Sequence, residues 1–275
     1  MRRSIFLLAS FLLIGNISFA QDSRFGVPNL IAYDKERFHW GFSLGINVVD
    51  VNLKTRTNYE HPAPGISPNN PVMEIYSEAT PAFNVGIVAN MRLGEYFDLR
   101  FIPSFSIAHN IRLFYRFDDD IATYYPLPEA GRPPYTVLRE IECHYINFPL
   151  FFKFKSSRMH NVRMYAIAGG QIGVNMISGK NNKIPIPDPN GVYAEIMPII
   201  KPYDVQVKGG VGFDFYTTYF KFSTEFKVSF GVINMLEKEE KFNDQANINF
   251  YKNSPIIQGL QSLKSKTFSI SLIIE

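Results

Sequence analysis

Two histidines are the first residues to weigh as chemistry. His109 and His144 have Ser104, Ser106, Glu140 and Glu142 near them in sequence. Serine, histidine and carboxylate are the parts of a hydrolase, where a base activates a hydroxyl and an acid orients the base. No motif fixes the geometry of these residues, and interface histidines with solvated loop-base carboxylates account for them better, so no catalytic residue is assigned. His39, His61, His109, His144 and His160 are scattered without paired ligand spacing, which assigns no metal site. Cys143 is the only cysteine, so an intramolecular disulfide and a cysteine-built zinc site are both excluded. The glycine run Gly209 to Phe213 (GGVGF) lacks the Lys-Ser/Thr of a phosphate loop. No cofactor and no small-molecule substrate are expected.

The other polar residues follow a rhythm. Arg92, Asp98, Arg100, Lys153, Lys208, Asp214, Glu225 and Lys227 sit at alternate positions, interleaved with large apolar residues. Period-two alternation is the signature of a strand with one apolar and one polar face. Phe38 to Val48 (FHWGFSLGINV) shows it first, with Trp40, Phe42 and Leu44 on one side and His39, Gly41 and Ser43 on the other. It returns around Phe83, around Phe101, in the stretch with Phe152 and Phe154, near Phe213, near Phe222 and Phe226, and finally at Phe268 to Ile274 with Leu272. A run around Tyr165 completes eight strands. Two places resist the pattern. Apolar residues change sides near Tyr145, which predicts a β-bulge there. Tyr165 and Ile167 demand the face opposite to Ile172 and Val174, which predicts a switch at Gly169-Gly170.

Loop lengths alternate as well. Short links at Gly94–Tyr96, Ser156–Asn161 and Thr217–Tyr219 separate long ones at Lys54–Thr80, Phe117–Val137, Ser178–Asp204 and Asn234–Lys266. Outer-membrane barrels have short periplasmic turns and long extracellular loops. The expected fold is therefore all-β: an eight-stranded antiparallel up-and-down transmembrane barrel with both termini in the periplasm. In such a barrel the apolar face meets lipid and the polar face fills the lumen. Trp40, Phe42, Leu44, Phe83, Phe101, Phe152, Phe213, Phe222, Phe226 and Leu272 are assigned to lipid, and the eight charged residues above to the lumen. Eight strands enclose only enough width for side chains, so the lumen is expected to be filled. Trp40, Tyr96, Tyr165, Tyr216 and Tyr219 are candidates for an interfacial aromatic girdle. Arginine at Phe222 should impair insertion, and at Ser223 should be milder.

The ends and the composition fit. Arg2 and Arg3, an apolar run from Ile5 to Ile14 and Ser18-Phe19-Ala20 form a secretory signal pattern. The apolar run is shorter than the roughly 20 residues of a spanning helix. The expected organisation is a cleaved signal at 1–20, a periplasmic lead at 21–36 and a barrel at 37–275. The chain has 28 Lys and Arg, two of them in the signal, against 25 Asp and Glu. That balance gives no support to a nucleic-acid partner. The segments HPAPGISPNNP, YPLPEAGRPP and KIPIPDPNG make three of the long loops proline-rich, hence stiff and suited to recognition.

Three stretches, RFHWGFSLGINVVD after the lead, YINFPLFFKFK in mid-chain and YFKFSTEFKVSFGV before the last loop, resemble the PorT family, called SprT in gliding bacteria. The resemblance extends over the whole mature chain. It implies an outer-membrane barrel required for type IX protein secretion, and for gliding motility in gliding species. The implied role is non-enzymatic, docking or assembling other secretion proteins, with no family catalytic site to carry over. The ending Ile273-Ile274-Glu275 departs from the terminal aromatic common in outer-membrane barrels. The alternative is a stand-alone barrel serving adhesion or envelope integrity.

Overall fold

The structure is a computed structural model that describes residues 28–55, 72–117, 135–177, 198–237, 257 and 259–275. The signal at 1–20, His61 and the three proline-rich segments lie outside the described residues.

Among the described residues twelve strands form: β1 (Phe38–Thr55), β2 (Val72–Glu78), β3 (Thr80–Arg92), β4 (Phe97–Phe101), β5 (Ser104–Ile107), β6 (Ile111–Phe117), β7 (Tyr135–Ile141), β8 (Tyr145–Lys155), β9 (Val162–Asn175), β10 (Tyr203–Tyr216), β11 (Lys221–Gly231) and β12 (Leu260–Ile274). Every pairing is antiparallel, and β1 pairs with β12 on one side and β3 on the other, so the sheet closes. Around the ring the order is β1, β3, β4 with β5, β8, β9, β10, β11 and β12. Counting β4 and β5 as one staggered wall strand gives eight. Their separation at Ile102-Pro103 leaves the register with β3 and β8 unbroken. It arises because Pro103 has no N–H to give the ladder. A closed ring has no edge strand, so each backbone polar group in the wall finds a partner within the wall.

The outer wall is apolar. Phe83, Ile46, Ile270 and Phe226 lie side by side in one circumferential row, and Ile87, Phe42, Ile274 and Phe222 in another. Phe42 keeps 68% of its surface exposed while Arg100, on the inner side, keeps none. A soluble protein does not leave so large a contiguous apolar surface to water.

At one end the wall continues past the ring. Strands β2, β6 and β7 make a separate three-stranded sheet standing on β3, β5 and β8. The inward residues are Thr80 and Ala82 in β3 but Ile75 in β2, and Ser106 in β5 but Ile111 and Leu113 in β6. Each wall strand thus gains one residue at the junction, at Ala79 and at Ala108, whose φ of 58° is left-handed. The Thr80 hydroxyl donates to the Asn110 carbonyl and ties the two junctions together. The bulge expected near Tyr145 is not there; the extra residues sit on the neighbouring strands instead. On its own strand Ile141, Cys143 and Tyr145 are all buried and keep one face. Strand β2 and the start of β12 fall within the expected loops Lys54–Thr80 and Asn234–Lys266.

Candidate functional site

Inside the ring, inward residues form two layers of opposite chemistry. The lower layer, toward the short turns, is a network of ion pairs. Arg100 on β4 pairs with Glu225 on β11, and also with Glu275 at 3.3 Å. Lys221 pairs with Glu275, while Lys227 meets Glu225 at 2.7 Å. Lys153 holds Asp214 at 2.7 Å, and Asp214 also accepts from the Ser223 hydroxyl at 2.6 Å. Lys155 meets Asp98 at 2.6 Å, and Asn90 donates to Asp98 at 3.1 Å. Charges removed from water persist only when paired and hydrogen-bonded this fully.

Tyr165 sits at the centre of this layer. Its hydroxyl donates to Glu225 at 2.8 Å, and the Lys153 ammonium lies 3.6 Å from the ring centroid. Gly212, directly across from it on β10, leaves the space: a Cβ there would run into the Tyr165 ring. Tyr165 therefore belongs to the lumen and not to an aromatic girdle. Tyr216 is likewise buried, at 3% exposure, whereas Trp40, Tyr96 and Tyr219 remain exposed outside. The Gly169-Gly170 switch does not exist either. Register with β8 and β10 runs through both glycines without a shift. Tyr165 and Ile167 are simply apolar surfaces turned inward, packed with Phe151, Val88, Ile102 and Ile273.

The upper layer is apolar. Ile75, Ile111, Leu113, Tyr115, Ile141, Cys143, Tyr145, Ile199, Ile200, Met235, Leu260 and Leu263 pack with Val51 into one cluster beneath the three-stranded sheet. That sheet's outer face carries Tyr76 stacked on Phe114 at 5.1 Å, with Leu138 next in the row. Ion pairs flank the row, Arg112 with Glu140 at 3.3 Å and Arg116 with Glu74 at 3.9 Å.

The lower mouth is occupied by the lead. A single 3-10 turn, Tyr33–Lys35, brings Asp34 against Arg163 at 2.9 Å, Arg158 at 3.3 Å and the Tyr216 hydroxyl at 2.9 Å. Tyr33 stacks on His39 at 4.0 Å. Burial first, and the Glu275 carboxylate second, raise the Tyr33 phenol well above the usual tyrosine range, so it stays neutral. Between the lead and the network a cavity of about 10 Å³ remains, bordered by Tyr33, His39, Asp98 and Lys221. That is room for one water at most.

Of the eight charged residues assigned to the lumen, Asp98, Arg100, Lys153, Asp214, Glu225 and Lys227 are buried inside the ring. Lys208 also points inward but keeps some accessible surface, with Asp204 and Lys227 as its charged neighbours. Arg92 is at the rim, donating to the Gly94 carbonyl at 3.1 Å. Of the residues assigned to lipid, Trp40, Phe42, Leu44, Phe83, Phe101, Phe152, Phe226 and Leu272 are exposed on the outer wall, and Phe213 and Phe222 partly so. Ser223 is fully buried, so arginine there would collide with the Asp214 cluster, contrary to the milder effect expected. Asp34, Arg158, Arg163 and Glu275 escaped the sequence reading. Only the inward parity of β9 and β12 could have flagged Arg163 and Glu275, and the lead carries no periodicity at all.

The hydrolase parts do not assemble. His109 is buried inside, its ring edge-on to Tyr145 at 4.9 Å. His144 lies on the opposite side of the wall, against Phe105, with its Nδ1 2.8 Å from the Cys143 carbonyl. Among the described residues no group of His, Cys, Asp and Glu could hold a metal ion.

A family model described as "Outer membrane protein beta-barrel domain" matches residues 19–237. The chain belongs to that family. It is therefore an outer-membrane β-barrel protein, and the exposed wall is its lipid-facing surface. Comparison with curated protein sequences finds no match. Among solved structures, Neisserial surface protein A is 9% identical with a TM-score of 0.37, over 87% of this chain and 99% of that one. Ail, the attachment invasion locus protein of Yersinia pestis, is 12% identical with a TM-score of 0.34, over 87% and 98%. OprG from Pseudomonas aeruginosa is 9% identical with a TM-score of 0.39, over 91% and 98%. Likenesses this distant say nothing about function.

Proposed function

We propose that the chain is a non-enzymatic component of type IX protein secretion, which docks or assembles other secretion proteins and supports gliding motility in gliding species. The resemblance of its strand sequences to the PorT family motivates the reading. The observation that carries it is the filled lumen: a ring blocked by buried ion pairs below and an apolar cluster above offers no conduit for protein. Its work must then pass through its surfaces. Those are the lipid-facing wall, the long loops on the extracellular side, and the short-turn mouth with its lead on the periplasmic side.

The test is a mild-detergent pull-down of the tagged mature barrel from native outer membranes, followed by mass spectrometry. Type IX components should co-purify, and a deletion strain should retain type IX substrates inside the cell. Normal secretion by the deletion strain would overturn the proposal.

A further inference from the structure

The lower mouth contains a built receptor for a carboxylate. Arg163 grips both oxygens of Asp34, at 2.9 and 3.3 Å, in the two-pronged geometry that suits a guanidinium to a carboxylate. Arg158 adds a third contact at 3.3 Å and lies 3.7 Å above the Tyr216 ring, which fixes its plane. The Tyr216 hydroxyl donates a fourth at 2.9 Å. The two arginines come from the β8–β9 turn and the start of β9, and Tyr216 from the end of β10. The clamp is therefore part of the barrel, while its occupant is not.

The occupant is a short segment at the rim, carried by one 3-10 turn. No residue of the Tyr33–Lys35 turn is fully buried, although the Tyr33 hydroxyl is enclosed. Beyond Asp34 it is tied by the Asn29 backbone to Asn161 at 2.8 Å, by the Asn29 amide to the Tyr216 carbonyl at 3.1 Å, by Arg158 donating to the Asn29 and Leu30 carbonyls, by Arg92 donating to the Lys35 carbonyl at 3.4 Å, and by the Tyr33 ring against His39, Tyr216 and Lys221. Leu30, between those ties, takes a left-handed φ of 51°, which a leucine adopts only under constraint. In addition, the Nε of Arg163 is buried with no acceptor, a donor inside the clamp that Asp34 does not use.

We propose that Arg158, Arg163 and Tyr216 form an exchangeable binding site for the acidic side chain of a partner peptide, which Asp34 occupies in cis and thereby closes. A peptide bearing Asp or Glu displaces the lead, frees it, and engages the same three donors. This property of the mouth stands whichever assembly the barrel serves, and its test uses purified protein.

The probe is a fluorescent peptide carrying residues 28–37 of this chain, added to the refolded mature barrel in detergent. An intramolecular competitor acts at an effective concentration of roughly millimolar, so Asp34→Ala should tighten peptide binding by about tenfold or more over the unmodified barrel. A peptide with Asn in place of Asp34 should lose that gain. Arg163→Gln in the Asp34→Ala background should abolish it, and Tyr216→Phe should weaken it. Heat-modifiable migration on gels certifies that each variant is folded. Peptide binding that ignores the Asp-to-Asn change, or no binding to the Asp34→Ala barrel, would overturn the proposal.

Discussion

The lower and upper halves of the barrel interior use the same inward positions to opposite ends. On β11 and β12 those positions hold Lys221, Glu225, Lys227 and Glu275 below and Leu263 above. Below, stability depends on every charge having its counter-charge, because removing one partner leaves a desolvated ion. Above, it depends on close packing, because a void forfeits contacts with nothing to replace them. Strand geometry dictates which residues face in. It does not dictate whether the inside is wet, charged or oily; the depth of each residue along the wall does that.

The comparison breaks most sharply at Glu225. Glu225→Leu strands Lys227 and leaves Arg100 only Glu275, and should cost about 3–5 kcal/mol in urea unfolding of the liposome-reconstituted barrel. Adding Arg100→Met should return part of that loss; strict additivity of the two changes would mean the pair is uncoupled. In the upper layer, Leu263→Ala should cost about 2–5 kcal/mol by opening a cavity, with no second-site rescue by a charge change below. The outer wall offers a third contrast. Phe226→Arg, four residues into the lipid-facing band from Phe222, should cost about 2–4 kcal/mol. Phe222→Arg, expected from the sequence to impair insertion, lies next to the strand end at Lys221 and should instead cost only about 0–1 kcal/mol, since lipid-facing charge is tolerated near the interface. Equal losses at Phe222 and Phe226 would show that the membrane band is misplaced by a turn of the wall.

Much of the ring was legible because lipid imposes an apolar outer face on every spanning strand, and Phe42, Phe83 and Phe226 obey it wherever they fall. The inner face is under no such rule. Tyr145, Tyr165 and Ile167 are apolar and point inward, so a reading that equates apolar with outward finds a slip at each of them where none exists. The true irregularity, at Ala79 and Ala108, was silent because alanine carries no side-chain signal for either face. The three-stranded extension was missed for a related reason: beyond the ring both faces of β2, β6 and β7 are mixed, with Tyr76 and Phe114 outside and Leu113 and Tyr115 inside. Asp34 could not be seen at all, since its role comes from two arginines more than a hundred residues away in sequence.

The pairing of Arg100 with Glu225 and Glu275 spans 125 and 175 residues of chain. No fragment of the sheet can satisfy it. A chain that has paired β4 to β8 but not yet brought β11 and β12 round to β1 carries naked guanidinium and carboxylate groups on a surface that faces neither protein nor water once lipid arrives. Closing the ring through β1 is what brings these partners together. An unclosed ring would hold these charges without their counter-charges, which is costly away from water.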